Sequence, residues 1–135
     1  MNWDHIIHNS PNTWRQFKYF IEVFVEVNKY IAIEWDDSMQ MFYTRSESGY
    51  HDGPINQILL TGAILQFLDE HHILIDVGVN ADYTFFARIF IKQKGKVVDM
   101  NYNIQANERQ EAIERAAMFA FEESEKILIQ KQILQ

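Results

Sequence analysis

The residues that could do chemistry gather in two short runs. Asp69-Glu70-His71-His72 sets four possible metal ligands in consecutive positions, and His51-Asp52 adds two more. A metal-assisted hydrolase would draw on His51, Asp52, Asp69, Glu70, His71 and His72. A helix-borne metal site, however, needs its ligands at i and i+3 or i+4, on one face. Consecutive ligands diverge, and the alternation of the strand that follows sends His71 and His72 to opposite sides. The leading reading of the run is a polar helix end that stays wet, with no metal or cofactor, and the hydrolase is the alternative. Asp4, His5 and His8 offer a further trio near the start, with Asp4 and His8 one helical turn apart; residues so placed are usually solvated. Glu34, Asp36 and Asp37 surround Trp35, and paired carboxylates can do acid–base work when their surroundings split their pKa values. Asp36-Asp37-Ser38 is also turn chemistry, which is the simpler reading.

Nucleophilic chemistry finds little support. The chain has no cysteine, which removes thiolates and disulfides together. Thr44, Ser38, Ser46, Ser48 and Ser124 lie in no Gly-x-Ser-x-Gly elbow. The five glycines are scattered singly, with no phosphate-cradling loop. What remains is the polar stretch from Ser46 to Pro54. Loops on a rigid scaffold are where binding tends to reside, and tyrosine is enriched in interface hot spots. Tyr50, His51 and Asp52 are therefore the candidate partner-binding residues, and the expected partner is another protein.

The elements that must position these residues follow from periodicity. Ser10-Pro11 is a helix start, with Ser10 as cap and Pro11 in the first turn. Trp14, Phe17, Ile21 and Phe24 recur at helical spacing, predicting a helix over 11–27. Ile21, Val23, Val25 and Val27 also alternate as a strand would, so 20–29 stays ambiguous between the two. Runs 30–35 and 39–44 alternate around the Asp36-Asp37-Ser38 turn and read as a hairpin. Pro54 opens a second helix reaching Glu70, with Ile55, Ile58, Leu59, Gly62, Leu65 and Leu68 inward. Gly62 in a helix interior points to close packing against a neighbour. His72–Val79 is a strand, and a long hairpin, 83–92 and 96–104, turns at Lys94-Gly95.

Phe86 and Phe90 share one face of that hairpin while Phe85 takes the other. Either helices cover both faces or one face meets a second protomer, which leaves a homodimer open. The last helix runs from Asn107 to Leu128, with Gln110 as capping-box partner. Ile113, Ala116, Ala117, Ala120, Ile127 and Leu128 make its inner stripe; Glu114, Glu122, Glu123 and Glu125 make its wet face. Lys131 and Leu134 carry the stripe further. The expectation is one α+β domain over 1–135, of order α-β-β-α-β-β-β-α, with three helices on a five-stranded, mainly antiparallel sheet.

Composition bounds what such a domain does. With 135 residues, 47% hydrophobic and 14% aromatic, the chain can bury a core without staples. No apolar run approaches the roughly 18–20 residues that span a bilayer, and no basic-then-apolar leader is present, so a cytoplasmic protein with no membrane contact is expected. A net charge of −7 repels phosphate backbones, so no direct nucleic-acid binding is expected. The same charge would suit an acidic mimic that occupies a nucleic-acid-binding groove.

Two segments carry a likeness. Phe67-Leu68-Asp69-Glu70-His71-His72-Ile73-Leu74-Ile75 runs a helix directly into a strand, and Ala112-Ile113-Glu114-Arg115-Ala116-Ala117-Met118 with Phe119-Ala120-Phe121-Glu122 sits in the closing helix. Over roughly 55–128 these resemble small phage and prophage α+β proteins, including phage ABA sandwich domains. Those end in a helix–strand–strand–strand–helix unit with an Ala-Ile-x-Arg-Ala-Ala-Leu-like run. Glu114 stands where a small or thiol residue is expected, and Met118 replaces the leucine. The resemblance implies a fold and a phage-related origin and supplies no functional residue. Function is read as a non-enzymatic protein-binding module, such as an inhibitor of a host function.

Overall fold

A computed structural model describes residues 1–25, 30–49 and 52–134 of the chain. Within them the architecture is α+β, with four helices and two antiparallel sheets. The expected three helices on one five-stranded sheet are thereby corrected in number and in layout. Helix α1 (Trp3–Asn9) is the addition. Its polar residues suggest a solvated terminus, but Trp3 and Ile6 are buried, and burial of two large side chains secures a helix too short to stand alone. Asn2 caps it, accepting from the His5 N–H.

Helix α2 (Pro11–Val23) starts where predicted and buries Thr13, Trp14, Phe17, Phe20 and Ile21. It stops short of residue 27. Val23 and Phe24 are exposed, so the last turn buries nothing beyond Ile21, and a β-branched residue such as Val23 favours the helix less. Residues 26–29 lie outside the described residues. Strands β1 (Ile31–Asp36) and β2 (Met41–Ser46) form the expected hairpin, and β3 (Gly53–Pro54) adds a short third strand on β2.

Pro54 thus belongs to this sheet and does not open the next helix. Asn56 caps α3 (Gln57–Glu70), accepting from the N–H groups of Ile58 and Leu59. The buried stripe of α3 is Leu60, Ala63, Ile64, Phe67 and Leu68, whereas Ile58 is 83% exposed. Gly62 faces solvent, and a Cβ built on it meets nothing within 4 Å. Of the predicted inward residues, Ile55 and Leu68 are buried and Leu59 packs against the core, while Ile58 and Gly62 face outward, because an apolar helix shows little periodic contrast.

The second sheet holds β4 (Ile73–Val79), β5 (Phe85–Gln93), β6 (Lys96–Asp99) and β7 (Ile104–Ala106). Strands β6 and β7 both pair with β5, at 90–93 and 85–87, where one strand over 96–104 was expected. Asn101, at φ 63°, turns the chain into a bulge over 101–103. Helix α4 (Arg109–Leu134) packs on β4, β5 and β7 on one side and on α2 on the other, and α2 in turn meets β1. The helices therefore lie between the two sheets. Ala112, Ala116, Ala117 and Ala120, all 0% exposed, let α4 come close to the large sheet.

The small sheet is held by aromatic packing. Trp3, Trp14 and Trp35 converge with centroid separations of 5.4, 4.7 and 6.1 Å. Phe42 lies 5.0 Å from Trp35 and 5.8 Å from Phe17. Such tilted and edge-on pairs add to area burial. No helix among the described residues is long and apolar enough to cross a membrane.

Candidate functional site

Two of the acids expected on the wet face of α4 are buried. Glu125, 4% exposed, reaches the N-terminus of α2. Its Oε1 accepts from the N–H and the Nδ2 of Asn12 at 2.9 and 2.8 Å. Its Oε2 accepts from the N–H and the hydroxyl of Thr13 at 2.9 and 3.0 Å. Burial pushes this carboxyl up, but the donors from Asn12 and Thr13 outweigh it and hold the group below its ordinary range. It does the capping that Ser10 was expected to do; the Ser10 hydroxyl makes no cap bond and is buried without a partner. Glu123, 7% exposed, accepts from the Tyr102 hydroxyl at 2.7 Å and from Lys126 at 3.3 Å. Desolvation first, then that bond, pushes the Tyr102 hydroxyl up to about 12.

These anchors shape a concavity. Tyr102 descends from the bulge onto α4 and stacks on Phe119 at 5.0 Å. Beside it a cleft of about 450 Å³ opens between α1, α4 and the bulged strand. Met118, Phe119 and Ile104 supply its apolar wall, while His5, Glu122 and Arg115 stand around it. Bulges commonly sit beside sites because they re-aim side chains, and this one presents Asn103 to the cleft. Arg115 donates to the carbonyl of Gln105 at 2.6 Å and pairs with Glu111 at 2.5 Å. Its guanidinium is thus fixed at the rim.

His5 joins α1 to α4, with Nε2 2.8 Å from Glu122 Oε1. The Asn9 amide nitrogen lies 2.8 Å from the His5 carbonyl and 3.2 Å from His5 Nδ1. An amide NH₂ donating to Nδ1 puts the ring proton of neutral His5 on Nε2, facing Glu122. Both ring nitrogens are then engaged, and neither offers a lone pair to a substrate proton. Nothing in the sequence pairs His5 with Glu122, 117 positions away; the only signal was a histidine on a segment that turned out to be helical.

The residues singled out from sequence fall elsewhere. Tyr50 and His51 lie outside the described residues. Asp52 closes its own loop, accepting from the Ser46 N–H at 2.7 Å, with Gly49 at φ +71° inside the turn. His71 ends α3, with Nδ1 2.8 Å from the Phe67 carbonyl and Nε2 2.9 Å from Gln16 of α2. His72 follows at φ 63°, so Asp69-Glu70-His71-His72 forms a helix-terminating turn. Among the described residues no three His, Asp or Glu side chains gather closely enough to hold a metal ion. Asp4 and His8 pair with each other at 3.3 Å in solvent. Asp36 ends β1 at the hairpin turn, held below its ordinary range by the Ser38 hydroxyl, the Met39 N–H and Arg45.

No protein-family model, curated protein or solved structure matches this chain.

Proposed function

We propose that this protein is a non-enzymatic binding module, related to the phage and prophage α+β proteins it resembles, which grips a partner protein through the cleft between α1, α4 and β7. On this reading it acts on a host protein as an inhibitor does, by occupying a surface. The observation that carries the proposal is the composition of the cleft. Arginine, methionine and phenylalanine are the side chains enriched where proteins bind one another, and here Arg115, Met118 and Phe119 share one stretch of α4 around a concavity. A hollow of about 450 Å³ has room for an apolar side chain or two of a partner. The engaged nitrogens of His5 favour binding over catalysis. Tyr50, His51 and Asp52, singled out from the sequence, are the second candidate contact.

The test is capture from a bacterial host lysate at low and high salt, followed by affinity measurements on the recovered partner. Phe119→Ala is expected to weaken binding at least about tenfold, the scale of a hot-spot side chain, with the melting temperature little changed. Tyr50→Ala separates the loop from the cleft. A partner held equally by the wild type, Phe119→Ala and Arg115→Ala refutes the cleft as the binding surface.

A further inference from the structure

The large sheet has one covered face and one open one. Ala87, Ile89 and Ile91 of β5 are at most 3% exposed beneath α4. The alternate positions point the other way, and Leu74, Phe86 and Phe90 take no part in the hydrophobic core that α4 helps to cover. On this open face Leu74 stands opposite Phe90 in the β4–β5 register, and Gly78 stands opposite Phe86. The Phe86 ring lies directly over Gly78, where a Cβ would come within 2.2 Å of it. Leu74 is 39% exposed, and Val97, on the next strand, 59%.

Charge balance favours a second copy as the occupant. The chain carries −7 overall, so most of its surface repels a second copy. The open face does not. Its outward positions hold two carboxylates, Asp76 and Asp99, and two cations, Arg88 and Lys92, with Asp76 directly opposite Arg88 and Asp99 opposite Phe90. A twofold interface requires one patch to complement itself, and a face that is apolar with balanced charges meets that condition where an acidic one cannot. We infer that the open face of the β4–β7 sheet docks a second copy of this chain, sheet against sheet. Two such faces stack about 10 Å apart with their side chains interleaved, which places Phe86, Phe90, Leu74 and Val97 in the seam. None of these four residues lines the cleft at α1 and α4, so this inference does not depend on the binding reading above.

Sedimentation equilibrium on the full chain between about 5 and 500 μM tests it. The wild type is expected to shift from monomer to dimer within that range. Leu74→Lys/Val97→Lys, which alters only exposed side chains, is expected to stay monomeric with an unchanged circular dichroism spectrum. Arg88→Glu leaves the face acidic and is expected to weaken the dimer at least about tenfold. Ile133→Lys, on the projecting end of α4, is the control and is expected to dimerise normally. A wild type that remains monomeric throughout overturns the inference. So does a dimer that survives Leu74→Lys/Val97→Lys, or one that Ile133→Lys dissolves.

Discussion

Replacing Glu125 by glutamine tests the assignment of this side chain as the cap of a helix distant in sequence. The carboxylate satisfies four donors, two on each oxygen, from Asn12 and Thr13 in the first turn of α2. Glutamine keeps one oxygen and turns an NH₂ toward the other two donors. Two bonds are lost, the remaining two are no longer charge-assisted, and the negative charge at the helix N-terminus disappears. With net values near 1–1.5 kcal/mol for each lost bond, the substitution costs about 2–3 kcal/mol at neutral pH. For a domain of this size that is a fall of about 6–10 °C in melting temperature.

The pH dependence gives a second check. The folded carboxyl titrates below its ordinary value of 4.5. Its contribution is therefore complete above the unfolded value and disappears as pH falls through the lowered folded one. Urea unfolding at pH 7 and again near pH 3 measures both. The gap between wild type and Glu125→Gln should be full at pH 7 and shrink at acid pH. A difference below about 0.5 kcal/mol at pH 7, or one that does not change with pH, refutes the capping assignment.

Three further outcomes are expected. Ser10→Ala removes a buried hydroxyl that bonds to nothing, so stability should stay level or rise slightly in urea melts, against a loss of about 1 kcal/mol for a working N-cap. The two glycines should respond with opposite sign to alanine. Gly62→Ala, in an exposed and open part of α3, should stabilise by about 0.5–1 kcal/mol, while Gly78→Ala displaces the Phe86 ring and should cost about 1–3 kcal/mol, both by chemical denaturation. Spectrophotometric titration should show one tyrosine ionising near pH 12, and Tyr102→Phe should abolish that step. Because the folded value is raised, the associated stability is complete below the unfolded value near 10 and is lost as pH rises through 12.

The legible parts of this fold are those whose cause is local. Pro11 in the first turn marks the start of α2, Lys94-Gly95 set the β5–β6 turn, and the Asp36-Asp37-Ser38 turn set the first hairpin, where Asp36 caps its own turn through Ser38 and Met39. Ala116, Ala117 and Ala120 announced a helix pressed close to a sheet. Other features were out of reach for identifiable reasons. Helix α1 is secured by the burial of Trp3 against Trp14 and Phe42, and its polar residues hide that. The buried face of α3 is only partly legible, through Leu59 and Leu68, because apolar residues lie on most sides of it. The break between β6 and β7 depends on Asn101 at φ 63°, a conformation asparagine tolerates but does not require.

What the sequence by itself determined is the class of the protein, α+β, the positions of most elements, and the scarcity of nucleophile and phosphate motifs. Periodicity, turn chemistry and composition act over a few residues, and a single chain displays them openly. Only the tertiary structure decided that the helices lie between two sheets, that Glu123 and Glu125 turn inward, and that His5 meets Glu122 beside a cleft. A carboxylate on a helix is wet or buried according to what packs against it. For Glu125 that is the first turn of a helix more than a hundred residues earlier, whose unsatisfied N–H groups make an anion there favourable.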